Sequence, residues 1–247
     1  MPSADTVGPH DENDVQRVLC VAAHPDDLDF GASGTLAGWV DAGLDVTYLL
    51  CTRGDQGGFD ETPREQMPEL REREQRAAAA AVGVKDVRFL DGFRDGWLEP
   101  SHDLQRAIVR VIRQVRPDRM VIQSPERNWQ RIGASHPDHL AAGEASIRAV
   151  YPAARNPFAY PELLADEGLE PWTVPDVWLL ADPAPDRYVD ITDTFDRKLA
   201  ALRAHESQTR HMDDLEGLLR GWGARTAEAA GLPAGRLAEA FRTVVTA

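Results

Sequence analysis

"RVLCVAAHPDDLDF" (17–30) decides how this chain is read. Its first half, 17–23, is a short apolar, β-branched run of the length of a buried strand. One histidine and three aspartates follow at once: His24, Asp26, Asp27 and Asp29. Titratable groups at the end of a buried strand are costly unless something there uses them. In an open α/β sheet, that end is where ligands bind.

The pattern repeats outward from this point. "GASGTLAGWVDAG" (31–43) reads as a helix of small residues, "DVTYLLCT" (45–52) as a second strand and "GDQGGFDETP" (54–63) as a loop. Residues 64–82 are helical in character, with the alanines 77–81 giving strong propensity and Gly83 a C-cap. "DVRFL" (86–90) is a third strand. Leu104, Ile108, Val111, Ile112 and Val115 make a 3.6-residue stripe within 102–116, and "RMVIQ" (119–123) is a fourth strand. A helix over 137–151 has proline in its first turn. Strands alternating with helices predict an α/β fold, a Rossmann-like three-layer sandwich whose mainly parallel sheet is covered on both faces.

Beyond residue 151 the chain is less regular. A proline-punctuated connection (152–172) leads to strands at 176–181 and 187–192, then helical segments near 193–206 and 233–245. Nothing marks a second domain. The expectation is a polar tail (1–16) and one catalytic domain (17–247), with a core at 17–151 completed by the strand and helix region 152–247.

Composition narrows the function. The 247 residues are 43% hydrophobic and 28% charged, enough for a core and a hydrated surface. A net charge of −14 argues against nucleic acid or an anionic membrane as the main partner. No apolar run approaches the about 20 residues of a membrane span. "MPSADTVGPHDENDVQ" has neither the basic start nor the apolar stretch of a secretory signal. Cys20 and Cys51 each sit in a strand-like run, as buried free thiols would. A cytoplasmic location is expected. Apolar helix faces in the C-terminal third permit a homo-oligomer.

A second cluster, "ASHPDHLAAG" (134–143), follows strand four and opens the next helix. Both clusters therefore belong to the same rim of the sheet, and His136 and His139 lie one turn apart. Each motif alone could be a helix cap. Together they supply what zinc takes at a catalytic centre, imidazole and carboxylate ligands with one position left for water. They also leave a carboxylate to take a proton and a spare histidine for an oxyanion. Fe²⁺ or another divalent ion suits such ligands as well.

"AAHPDDLDFGASGTLAG" with "ASHPDHLAAG" resembles the LmbE-like, or PIG-L, superfamily of metal-dependent N-deacetylases. The resemblance covers roughly 17–210 and implies hydrolysis of an N-acetylated amino sugar or its glycoside to acetate and a free amine. It makes His24, Asp27 and His139 the metal ligands and Asp26 the general base. It makes His136 the group that stabilises the oxyanion or protonates the amine, with Asp138 orienting it. Arg71, in the Arg-x-x-Glu pattern of "REREQ", becomes a substrate-binding residue with Glu74 its companion. Asp95 in "FRDGWL" is placed in the sugar pocket, and His205 in "ALRAHESQ" near the site. Trp129, in the polar loop "PERNWQRIGAS", is a candidate for stacking on a sugar ring. The deacetylases of mycothiol biosynthesis carry a tyrosine where this chain has Ala134. The sulfur-cofactor identities of such relatives are therefore not carried over.

Three rivals are weighed against this. An amidase acting on another amide, such as a thiol S-conjugate, would keep the metal and change the bond. A nucleotide-binding protein using "GASG" lacks the G-x-G-x-x-G spacing and would set aspartates against phosphate. A metal-stabilised binding protein would leave the catalytic groups unused.

Overall fold

The computed structural model describes residues 15–59 and 61–246, so most of the predicted tail lies outside the described residues. Seven strands, β1 (Arg17–Ala22), β2 (Asp45–Leu50), β3 (Asp86–Phe89), β4 (Arg119–Gln123), β5 (Asp176–Leu180), β6 (Arg187–Asp190) and β7 (Ala238–Val245), form one sheet in the order β3-β2-β1-β4-β5-β7-β6. The pairs joining β3, β2, β1, β4 and β5 are parallel, while β7 runs antiparallel to both β5 and β6. The order reverses at β1, with β2 on one side and β4 on the other. The carboxyl ends of β1 and β4 thus flank the switch point where such sheets bind ligands.

Side chains of period two divide the core. Leu19, Val21, Met120 and Ile122 face α4 (His102–Val115) and α5 (Pro137–Arg148), meeting Leu104, Ile108 and Ala145. Val18, Cys20, Tyr48 and Val121 face the other way, onto α2 (Ser33–Asp41) and α3 (Met67–Val82), meeting Leu36, Ala78 and Ala79. Helices on both faces produce the three predicted layers.

The C-terminal third departs from expectation in one place. Residues 233–245 were expected to be helical, and 238–245 form β7. "LAEAF" has helical composition, but its pairing overrides propensity. Phe241 is buried, and Glu239 is buried because it accepts from the backbone N–H groups of Gly34 and Thr35 and from Lys198 Nζ. The region also holds α9 (Leu215–Ala229), a helix that Gly217, Gly221 and Gly223 disguise in the sequence. Ile191, Leu215, Leu219 and Leu237 pack with Phe195, Leu199 and Leu202 of α7 (Phe195–Ala204) in a third apolar cluster. The remaining helices are short: α1 (Asp27–Gly31), α6 (Pro161–Ala165) and α8 (Glu206–Thr209).

Candidate active site

The first motif leaves β1 through a tight turn. The Ala23 N–H donates to Gln123 Oε1 (2.9 Å), tying the ends of β1 and β4 together. Asp26 then adopts φ 82°, left-handed backbone that few side chains tolerate. This turn separates the two neighbouring aspartates. Asp27 folds back, its Oδ2 accepting the His24 N–H at 2.8 Å, while Asp26 meets Arg71 Nη2 at 3.0 Å through its own Oδ2.

The second motif opens α5 with His136 as its N-cap and Pro137 in the first turn. His136 Nδ1 accepts the Asp138 N–H at 3.2 Å, which leaves the proton of a neutral ring on Nε2. His139 Nε2 lies 2.9 Å from Asp27 Oδ1, and His24 Nδ1 lies 3.4 Å from Asp27 Oδ2. The ring centroids of His24, His136 and His139 are 5.1 to 5.3 Å apart, and one ring nitrogen from each falls within 4.8 Å of the others.

Charges follow the geometry. Burial pushes the Asp26 carboxyl up to about 6, opposed by Arg71 and reinforced by Asp27. Burial would also raise Asp27, but His139 and His24 hold it well below the usual carboxylate range. Burial would lower His139, and Asp27 outweighs it, so His139 is raised. His136 is lowered by burial and by the charges of His24 and His139, which keeps it neutral near pH 7.

The donor set fits a divalent metal. Three imidazoles converge, and one carboxylate reaches two of them. His24 Nε2, on the far side of its ring from Asp27, lies 3.0 Å from Asp95 Oδ1 and 3.1 Å from Asp138 Oδ2. A carboxylate behind a histidine in this way is the usual support of a metal-ligating imidazole.

Some expected residues have other duties. Asp138 was expected to orient His136, and its main-chain N–H does bond His136 Nδ1. Its carboxylate receives His24 Nε2, the Gly96 N–H at 2.7 Å and the Leu98 N–H at 3.3 Å. Arg71 was expected on the substrate; it is 4% exposed, with Nη1 donating to Gly54 O and Nη2 to Pro25 O and Asp26. Gly54 is required there, at φ 65°, because a Cβ would stand 2.1 Å from Arg71 Nη1. Glu74 pairs with Ser207, not Arg71, accepting from its N–H and Oγ. Asp95 is drawn against His24, with its other oxygen held by the Gln56 N–H at 2.8 Å. His205 lies beneath the site, its Nε2 2.8 Å from Asp29 Oδ2.

Trp129 stands 80% exposed on its loop, with the Arg127 guanidinium 5.5 Å from its ring. Among the described residues it takes no part in the hydrogen bonds that join the others. Ala134 ends a short 3₁₀ turn, Ile132–Ala134, and offers no side-chain donor. Sequence reasoning missed Gln75, whose Oε1 accepts the Asp26 N–H at 2.8 Å. Its spacing of four from Arg71, on one helix face, was the available signal.

Comparison with known proteins identifies the family. The family described as PIG-L, GlcNAc-PI de-N-acetylase, matches residues 19–150. The chain is 38% identical over 197 residues to diacetylchitobiose deacetylase of Thermococcus kodakarensis, covering 79% of this chain and 71% of that protein. It is 30% identical to the 1D-myo-inositol 2-acetamido-2-deoxy-alpha-D-glucopyranoside deacetylase of Rhodococcus erythropolis, covering 78% and 81%. Its fold superposes on N,N'-diacetylchitobiose deacetylase from Pyrococcus horikoshii with a TM-score of 0.84 at 31% identity, covering 94% of this chain and 85% of that one. With both histidine motifs at one rim of the sheet and the family match spanning them, this chain belongs to the PIG-L family of de-N-acetylases.

Proposed function

We propose that this protein is a metal-dependent hydrolase that removes the N-acetyl group from an N-acetylated amino sugar or its glycoside, releasing acetate and a free amine. The observation that carries the reading is the parting of two adjacent carboxylates. Asp27 faces His24 and His139, while Asp26 is turned toward Arg71. Spacing alone could not tell one from the other; the left-handed turn supports Asp27 as the ligand and Asp26 as the base.

In this reading His24, Asp27 and His139 hold the metal, for which Zn²⁺ suits the ligands best. When bound, it supplies Lewis-acid polarisation of the acetamide carbonyl and brings the pKa of water from 15.7 to roughly 7. Asp26 takes the proton of the attacking water on its carboxylate. Its raised pKa makes it a better proton acceptor than an ordinary aspartate. His136, neutral and carrying its proton on Nε2, donates to the developing oxyanion. The proton held by Asp26 then passes to the leaving nitrogen, so that the amine departs neutral. A hydrogen bond donated from His136 Nε2 leaves the ring proton in place, which supports Asp26 as the proton shuttle.

The names of the relatives support a substrate built on N-acetylglucosamine. The C-terminal strands extend the sheet that carries both motifs, which supports one catalytic domain over 17–247. Two buried free cysteines support a cytoplasmic location. Among the described residues, no helix is long and apolar enough to cross a membrane.

The test is acetate release from N-acetylglucosamine and N,N'-diacetylchitobiose, with metal content measured by mass spectrometry on the same samples. One divalent ion per chain and stoichiometric acetate are expected. A protein that takes up no divalent metal on reconstitution would overturn the reading.

A further inference from the structure

The assigned chemistry uses none of the buried polar groups beneath the first motif. Gln75 of α3, Asp29 of α1 and His205 at the start of α8 are each fully buried, and they form one connected chain. Gln75 Oε1 accepts the Asp26 N–H at 2.8 Å, and Gln75 Nε2 donates to Asp29 Oδ2 at 2.8 Å. The same Asp29 oxygen lies 2.8 Å from His205 Nε2. The backbone of Asp29 is anchored as well, its carbonyl accepting from Ser33 Oγ at 2.7 Å and Lys198 Nζ at 3.0 Å.

This chain has one direction. An amide can face a main-chain N–H with its oxygen and a carboxylate with its NH₂, but not the reverse. Asp29, fixed by His205 and Lys198, therefore dictates which end of Gln75 meets Asp26. The residue so held is the one non-glycine of the motif at positive φ. Left-handed backbone persists at such a residue when its surroundings over-determine it. Here the turn also keeps the Asp26 carboxylate apart from that of Asp27.

We propose that Gln75, oriented by Asp29 and His205, is a positioning residue that holds the Asp26 backbone in its left-handed turn and so aims the general base. The proposal rests on the deacetylase reading above. Without Gln75 the half-buried Asp26 N–H loses its partner, and the turn relaxes toward ordinary backbone. The carboxylate then moves away from the attacking water, while the metal ligands and the substrate pocket stay in place. A displacement of about 1 Å at a reacting group costs on the order of 10²-fold in rate.

Two variants test it on the full, metal-loaded chain, with N,N'-diacetylchitobiose as the probe substrate. Gln75→Met keeps the length and removes both hydrogen bonds. It is expected to lower kcat by roughly 10²-fold with KM and metal content unchanged. Gln75→Glu keeps an acceptor toward Asp26 but sets a carboxyl against the Asp29 carboxylate. That carboxyl would face the Asp29 carboxylate, which also meets His205, and the Asp26 N–H; beyond these direct partners stand Lys198 on the Asp29 carbonyl, Arg71 on the Asp26 carboxylate and Glu74 on Ser207. When it takes a proton it can again donate to Asp29. Activity of Gln75→Glu relative to wild type is therefore expected to rise as the pH falls, with kcat carrying the change and the folded fraction, KM and metal content unchanged, whereas a merely structural role would move the folded fraction with pH instead. Gln75→Met with kcat within twofold of wild type, or with its metal lost, overturns the proposal. If Gln75→Met does not fold, a flat Gln75→Glu to wild-type ratio across pH overturns it instead. Wild type that binds metal yet releases no acetate from any N-acetylated sugar overturns the deacetylase reading, and this proposal with it.

Discussion

Asp138 Oδ2 lies 3.1 Å from His24 Nε2, so a residue of the second motif braces the first. Its two oxygens also accept the N–H groups of Gly96 and Leu98. The Asp138 carboxylate thereby ties the second motif to the first, as Asp27 ties the first to His139.

An amide at this position cannot accept all three donors, since its NH₂ must face at least one of them. Asp138→Asn is therefore expected to weaken metal binding by about 10–100-fold, the usual cost of losing such a brace. Competition against a chelator measures it. If kcat falls and metal affinity holds, Asp138 serves His136 after all.

His136 and His139 are one helical turn apart and carry different loads. His139→Ala removes a group in direct contact with Asp27 and should yield protein without its metal. His136→Ala should keep the metal and lose about 10²–10³ in kcat, as expected for one oxyanion donor. Metal content and turnover on the same preparations separate the two. Equal metal loss in both variants would show that His136 is itself a ligand.

The placement of both histidines depends on how closely α5 approaches the end of β4. Gly143 makes this possible, because a Cβ there would meet Gln123 O at 2.3 Å and the Pro125 nitrogen at 2.9 Å. These are backbone atoms and cannot swing aside. Gly143→Ala should destabilise the fold by at least about 1–3 kcal/mol, the usual cost of overpacking. Chemical denaturation reads this directly; an unchanged midpoint would mean that α5 can slide without penalty.

Where the sequence was legible, local pattern and tertiary role coincide. The run 17–23 is apolar because both faces of β1 are covered, and the stripe of α4 is regular because one face meets the sheet. β7 was illegible because its burial depends on distant partners. Glu239 breaks the apolar alternation, and only Lys198, Gly34 and Thr35 explain a carboxylate there. The same reasoning applies at the site. His24, His139 and the Asp26–Asp27 pair announce themselves as residue types rarely buried without use, but which aspartate faces the histidines is invisible until the turn at Asp26 is seen. Arg71 reads in the sequence as a substrate ligand or as one partner of a surface ion pair, and its bonds to Gly54 O and Pro25 O depend on loops that no local pattern places. Gln75, neutral and inside an alanine-rich helix, carries no chemical signature until its two partners are seen.

The buried His205–Asp29 pair predicts a pH dependence of stability distinct from that of activity. Burial alone would lower the His205 imidazole, but the hydrogen bond to Asp29 and the charges of Asp29 and Asp26 outweigh it and hold it above its ordinary 6.5. A histidine raised in the folded state binds its proton more tightly there than in the unfolded chain. Its stabilising contribution is thus fully present below pH 6.5 and is lost as the pH rises through the folded value. Replacing His205 with glutamine removes this contribution at every pH. The thermal midpoint of wild type should exceed that of His205→Gln by most near pH 6, with the gap narrowing as the pH is raised toward 9. Thermal melts at fixed ionic strength across that range decide it: a gap that stays constant with pH would mean that His205 is neutral in the folded protein and that its bond to Asp29 carries no net charge.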